Sequence, residues 1–196
     1  AEFINRMKKS KIAQIGNPIL RIQTIDVPIN EIKKGKVQKL IKKLINTMYE
    51  YNGAGLAANQ IFEKYRICVL EILNNSNRYS HLPETPLKIL INPRITYINK
   101  KKMFSSYEGC LSVPNIRGRV YRSYDIKVEY YDENANFINE EIKGFQAIVY
   151  QHEIDHLDGF LFTDKVYNNQ SLVTYDNYVD FYEKNYKKEL INFFKE

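Results

Sequence analysis

The chain has 196 residues, 44% hydrophobic and 27% charged, the balance of a globular protein able to bury a core. Two cysteines, Cys68 and Cys110, are too few for a disulfide framework, and no apolar run approaches the roughly 20 residues of a membrane-spanning helix. The formal charge is +6; its lysines are spread over several clusters (Lys33 to Lys43, Lys100 to Lys102) with no direct nucleic-acid motif, so a solvated basic face is expected.

One domain is expected over residues 1–196. The first five residues, opening Ala1-Glu2-Phe3, look partly vector-derived, and no secretory signal is visible. Residues 11–28 lack periodicity, with a turn at Gly16-Asn17-Pro18. A helix follows. Val37, Leu40, Ile41, Leu44, Ile45, Met48 and Tyr49 recur at i, i+3, i+4, i+7, with Lys39, Lys42 and Lys43 opposite. It ends near Asn52-Gly53. The stretch from Gly53 to Gln60 reads as a loop whose glycines permit close backbone approach, with Gln60 as a neutral donor and acceptor. Taken alone, it is an ordinary turn.

Arg66–Leu73 is an expected strand, with Cys68 as a buried, inert thiol. Asn74–Pro86 is a long polar loop carrying His81, which reads as a surface residue. Lys88–Asn92 and Ile95–Ile98 read as two strands separated by Asn92-Pro93, and Met103–Tyr107 as a third that leads into Glu108-Gly109-Cys110-Leu111-Ser112. Arg119–Tyr131 and Phe137–Ile142 form an expected hairpin across Asp132–Ala135. A helix covers the segment from Phe145 to Leu157, and another runs from about Tyr175 to Phe194 (a C-terminal helix over about 175–195). The fold class is α+β: mostly antiparallel sheets around a central buried helix, with an amphipathic helix near the N-terminus and a helix at the C-terminus.

The central helix carries Gln151-His152-Glu153-Ile154-Asp155-His156, with two of the chain's three histidines. Residues four apart share one helix face, so His152 and His156 can point at one metal ion. Glu153, turned by about 100°, can reach a water at that ion without ligating it. The alternative is a buried helix whose histidines are hydrogen-bonded core residues. A catalytic metal site needs a third ligand and an open position. Cys110 is the strong candidate.

Gly53-Ala54-Gly55-Leu56-Ala57-Ala58-Asn59-Gln60, Glu108-Gly109-Cys110-Leu111-Ser112 and Gln151-His152-Glu153-Ile154-Asp155-His156 together resemble the three signature motifs of peptide deformylases, in order and at similar spacing. Pro18–Arg21 resembles a further family element, and the likeness runs from about Ile12 to Tyr167. It implies hydrolytic removal of the N-formyl group from formyl-methionyl nascent peptides, releasing formate. It implies one divalent ion on Cys110, His152 and His156: ferrous iron, with zinc, nickel or cobalt as substitutes. Glu153 becomes the general base, and the Gln60 side chain and Leu111 N–H the oxyanion donors. Gly55, Ile148 and Val149 become substrate-binding residues, and Glu108 a partner that orients a ligand or an arginine. Ala54 is smaller than the Ile or Val common at its position. Formylated nascent chains place such an enzyme in a plastid-like organelle (an apicoplast), another bacterium-derived organelle or a bacterial cytoplasm, with ribosome contact through the basic surface. The Lys-, Asn- and Ile-rich composition favours the organelle of a parasite. Two other classes compete: an H-E-x-x-H metalloprotease and a basic binding protein with no metal.

Overall fold

The computed structural model describes residues 10–73 and 82–195. In chain order its elements are α1 (Gly35–Glu50), β1 (Gly55–Ala57), β2 (Ile67–Ile72), β3 (Thr85–Ile98), β4 (Met103–Cys110), β5 (Val113–Ser123), β6 (Asp125–Tyr131), β7 (Phe137–Lys143), α2 (Phe145–Leu157), β8 (Val173–Thr174), α3 (Tyr175–Phe181) and α4 (Glu183–Phe193). Strands β1-β2-β3-β6-β7 form one antiparallel sheet and β4-β5-β8 another. The α+β expectation holds.

The larger sheet is covered on both faces. Along β2 the side chains alternate: Ile67 and Val69 pack with α1, while Cys68, Leu70 and Ile72 pack with α2. A strand buried on both faces reads as an unbroken apolar run, which is why this one was visible. Cys68 is fully buried, as expected of an inert thiol. Helix α1 buries Leu40, Ile41, Leu44 and Met48 and leaves its lysines exposed. Asn52, at φ 52°, closes it: Asn52 N–H donates to Tyr49 O (3.1 Å) and Gly53 N–H to Met48 O (3.0 Å). This pair of bonds turns the chain sharply into the first motif.

Helix α2 runs between the sheets, and nine of its 13 residues are buried. It ends the same way. Gly159 sits at φ 82°, with bonds from Gly159 N–H to His156 O and from Phe160 N–H to Asp155 O, each 3.0 Å. A Cβ on Gly159 would come within 2.7 Å of Arg21 O, so this turn also packs the N-terminal segment against the helix.

Four expectations need correction. The two strands of 88–98 are one strand, β3, with a bulge: the register shifts between Ile91 and Arg94, and Asn92 has φ 56°. Pro93 lacks an N–H and fits the bulge. The Asn92 side chain bonds the backbone of Val27 both ways, at 2.8 and 2.9 Å. The run 119–131 is divided between the two sheets at Tyr124. There the Gln151 amide takes the place of a neighbouring strand, accepting from Ser123 N–H (3.0 Å) and donating to Ser123 O (2.9 Å). The first motif is a short strand followed by a 3-10 turn over Ala58–Ile61. The C-terminal helix is two helices, broken at Tyr182. An unbroken helix would separate residues 178 and 186 by about 12 Å. Here both rings pack on Tyr107, with centroids at 5.2 and 5.3 Å. His81 and most of the polar loop lie outside the described residues.

Candidate metal centre and active site

Helix α2 presents His152 and His156 on one face, with their Nε2 atoms 3.2 Å apart. The end of β4 brings in Cys110, whose Sγ lies 3.2 Å from His156 Nε2. A register shift between Glu108 and Cys110 offsets the end of β4 on β5, where Cys110 pairs with Val113. All three donor atoms fall within 4.8 Å of one another. Donors at the usual distances around a tetrahedral ion sit about 3.3–3.8 Å apart. A trio of one sulfur and two imidazole nitrogens at this spacing therefore fits a single Zn²⁺- or Fe²⁺-sized ion with little movement.

The electrostatics favour the ligand form of Cys110, the thiolate. Burial alone would push the Cys110 thiol up, but His156 and His152 beside it hold it well below the usual thiol range. Burial disfavours a charged His152, yet its contacts with Cys110 and Glu108 raise it well above the ordinary imidazole value. Thiolate and imidazolium are the pair that a cation would replace, displacing the imidazole proton.

Glu108 orients that imidazole. Its Oε1 accepts from His152 Nδ1 at 2.8 Å, which leaves Nε2 facing the site. Arg122 grips the same carboxylate with Nε and Nη2 at 2.7 and 2.8 Å and reaches Asp155 with Nη1 at 2.6 Å. Burial would raise the Glu108 carboxyl, but Arg122 and His152 overcome it and hold it at about 2. Arg122 is itself buried. Its place in the alternation Gly118, Val120, Arg122, all inward, was the available signal in the sequence; a lone arginine on the buried side of a strand asks for an anionic partner. Arg122→Met is expected to cost about 3–5 kcal/mol of unfolding free energy, because it strands a buried carboxylate. Urea denaturation of the metal-free protein checks this. A loss of about 1 kcal/mol or less, as for a surface pair, would contradict it.

Glu153 is buried next to the histidines, and its Oε2 has no hydrogen-bond partner among the described residues. Burial raises its carboxyl above the ordinary value, although His152 and His156 pull it down. Gly55 lies so close that a Cβ there would come within 2.6 Å of Glu153 Oε1. The glycine is required by close packing on this carboxylate.

Gln60 is also buried. Its Oε1 accepts from Ala57 N–H at 3.0 Å, which fixes the amide so that Nε2 faces Ser112 Oγ (3.0 Å) and Cys110 Sγ (3.5 Å). Leu111 lies at the cleft edge, following the cysteine. Gly55, Gln60, Cys110, Leu111, His152 and Glu153 all line one cleft of about 480 Å³, with Ile148 and Val149 on its apolar side. His156 lies beneath, almost fully buried. The three motifs, separated by up to about a hundred residues, thus meet at one place. The same cleft also has a wall that the sequence did not announce, made by Tyr107 and residues of α3 and α4.

Residues 9–171 match the family model for polypeptide deformylase. Peptide deformylase 2 of Nostoc sp. is 40% identical over 176 residues, which cover 90% of this chain and 96% of that protein. The chloroplastic peptide deformylase 1A of Solanum lycopersicum is 37% identical over 164 residues, covering 79% of this chain and 58% of that protein. Among solved structures, the class I type b peptide deformylase of Acinetobacter baumannii with bound Met-Ala-Ser superposes with a TM-score of 0.75 at 33% identity, covering 79% of this chain and 96% of that one. With the three motifs gathered at one soft-donor site, the chain belongs to the polypeptide deformylase family, metal-dependent hydrolases that remove the N-formyl group from nascent peptides.

Proposed function

We propose that Cys110, His152 and His156 hold one divalent ion and that Glu153 moves the proton during deformylation. Gln60 and the Leu111 N–H receive the charge that develops on the formyl oxygen. Residues 1–196 are proposed to form one catalytic domain. The observation that carries this reading is Glu153 Oε2, without a partner among the described residues and buried beside a sulfur and two imidazoles already at ligand spacing. The bound ion supplies Lewis acidity, polarising the formyl carbonyl and making water a better nucleophile near neutral pH.

The chain's own residues do the rest. Glu153 takes a proton from the attacking water and returns it to the leaving amine. Its burial favours this, since a raised carboxyl is both a usable base and a usable acid. The Gln60 amide cannot turn without losing Ala57 N–H, so its donor stays aimed at the site. Ile148 and Val149 bind the methionine side chain, and the backbone at Gly55 lies along the peptide. The Acinetobacter relative binds Met-Ala-Ser, a tripeptide that begins with methionine.

Release of a free N-terminal amine from formyl-Met-Ala-Ser, run with and without a chelator and against acetyl-Met-Ala-Ser, tests the reading, with formate as the second product of the formyl peptide. Chelator-sensitive release from the formyl peptide alone is expected. Equal cleavage of an internal peptide bond would make the cleft that of a protease. Gln60→Leu keeps the volume but removes the donor, and is expected to cost about 2.7–4 kcal/mol in kcat. Unchanged kcat would remove Gln60 from the mechanism.

We further propose ferrous iron as the native ion, with zinc, nickel or cobalt able to substitute; a Cys-His-His set suits iron and zinc alike. Metal analysis of protein purified without oxygen decides between them. The exposed lysines of α1, Lys36, Lys39, Lys42 and Lys43, form the face proposed to meet the ribosome. A plastid-like organelle is the proposed compartment, supported by the composition and by a chloroplastic relative.

A further inference from the structure

Helices α3 and α4 lie beyond residue 171, where the match to the family model ends. They nevertheless line the cleft that holds the site. Tyr178, Tyr186, Lys187 and Leu190 face it together with Ile148. Tyr178, Tyr186 and Leu190 also pack in one apolar cluster with Ile148 and Phe104.

The helix pair is pinned in place by contacts on both sides of the cleft wall. Arg119 on β5 donates through Nη1 and Nη2 to the two carboxylate oxygens of Glu189, at 3.0 and 3.2 Å. The Ser106 and Tyr186 hydroxyls lie 3.2 Å apart. Tyr107, two residues before the metal-binding segment's glycine, packs its ring against Tyr178 and Tyr186, and the Arg119 guanidinium covers it at 4.4 Å. A two-point carboxylate–guanidinium grip fixes orientation as well as distance. The helices are thus held at a defined distance from Ile148.

We propose that the α3–α4 pair is the outer wall of the pocket for the first side chain of the formyl peptide, and that it sets which first residues are accepted. The inference rests on the deformylase reading of the cleft. The favoured substrates are formyl peptides whose first side chain is long, unbranched and apolar, held between Ile148 and the rings of Tyr178 and Tyr186. A thioether suits such a wall, because sulfur makes favourable contacts with aromatic rings. Leu190 controls the width: a smaller residue admits bulkier side chains and a larger one excludes them.

The test uses the full chain with its metal and three peptides: formyl-Met-Ala-Ser, formyl-Phe-Ala-Ser and formyl-Ala-Ala-Ser. Leu190→Ala is expected to raise the kcat/KM ratio of the Phe over the Met peptide at least fivefold. Leu190→Phe is expected to lower it at least fivefold, with formyl-Ala-Ala-Ser changed less than twofold in both. Pocket contacts of one methylene are worth about 10–200-fold in discrimination, so effects of this size are readable. Glu189→Ala breaks the anchor from the exposed side. It is expected to raise KM for formyl-Met-Ala-Ser three- to tenfold at unchanged kcat. Ratios that stay within twofold in both Leu190 variants, or an equal loss on all three peptides, overturn the proposal. Should the Leu190 variants fail to fold, an unchanged KM in Glu189→Ala overturns it alone. A wild-type protein inactive on all three peptides sinks the deformylase reading instead.

Discussion

Glu153→Ala is expected to keep its metal and to lose turnover by about 10²–10⁴-fold, the range for general acid–base catalysis. Glu153 follows His152 directly, so it cannot share the face on which His152 and His156 meet Cys110. Its carboxylate lies against Gly55 on the cleft side, and Oε2 finds no partner among the described residues. A buried carboxylate oxygen left without a donor is costly, and a fold tolerates it where a water or substrate atom completes the bond. Glu153→Gln separates charge from shape: it keeps the size and a hydrogen bond but cannot take a proton, so it should be nearly as slow as the alanine variant. The measurements are kcat from formate release and metal per chain by elemental analysis, on the same preparations. A variant that purifies without metal would make Glu153 a ligand. A variant that keeps a tenth or more of kcat would move the proton transfer to another group.

Much of this site was legible because its parts are local. The i, i+4 histidines, the glycine at each turn and the alternation in β6 need only neighbouring residues to be read. What was not legible depends on distant partners. Asn92-Pro93 looks like a strand break, yet Asn92 replaces the missing ladder with bonds to Val27, 65 residues away. Arg119–Tyr131 looks like one strand, yet Gln151 on α2 holds its kink. The break at Tyr182 carries no glycine or proline; packing around the Tyr107 ring overrides a pattern that is helical throughout. The chain His152–Glu108–Arg122–Asp155 joins β4, β5 and α2, and no spacing along one element could have announced it. Motifs therefore located the chemistry, while the residues that aim it emerged only from the packing.

Cys110→Ser is expected to lose both stoichiometric metal and activity, while Cys68→Ser keeps both. The two cysteines provide a comparison within one molecule. Cys68 is fully buried on β2, where burial pushes its thiol well above the usual range, so it stays protonated and inert. Cys110 sits against two imidazoles that overcome its burial and favour the thiolate. A thiol held low keeps its charge as pH falls until protons compete for it, so metal affinity should be retained near neutrality and decline in acid. Serine cannot follow, since its hydroxyl does not ionise in this range and oxygen is a harder donor than sulfur. The remaining two histidines would then hold the ion by two bonds, fewer than the three protein ligands of a catalytic site. Gln60 Nε2 and Ser112 N–H, which lie 3.5 and 3.4 Å from Sγ, would face a smaller and less charged atom. Metal content and formate release, measured together for both variants, decide the matter. Full metal and full deformylation in Cys110→Ser would place the third ligand elsewhere and separate the second motif from the third.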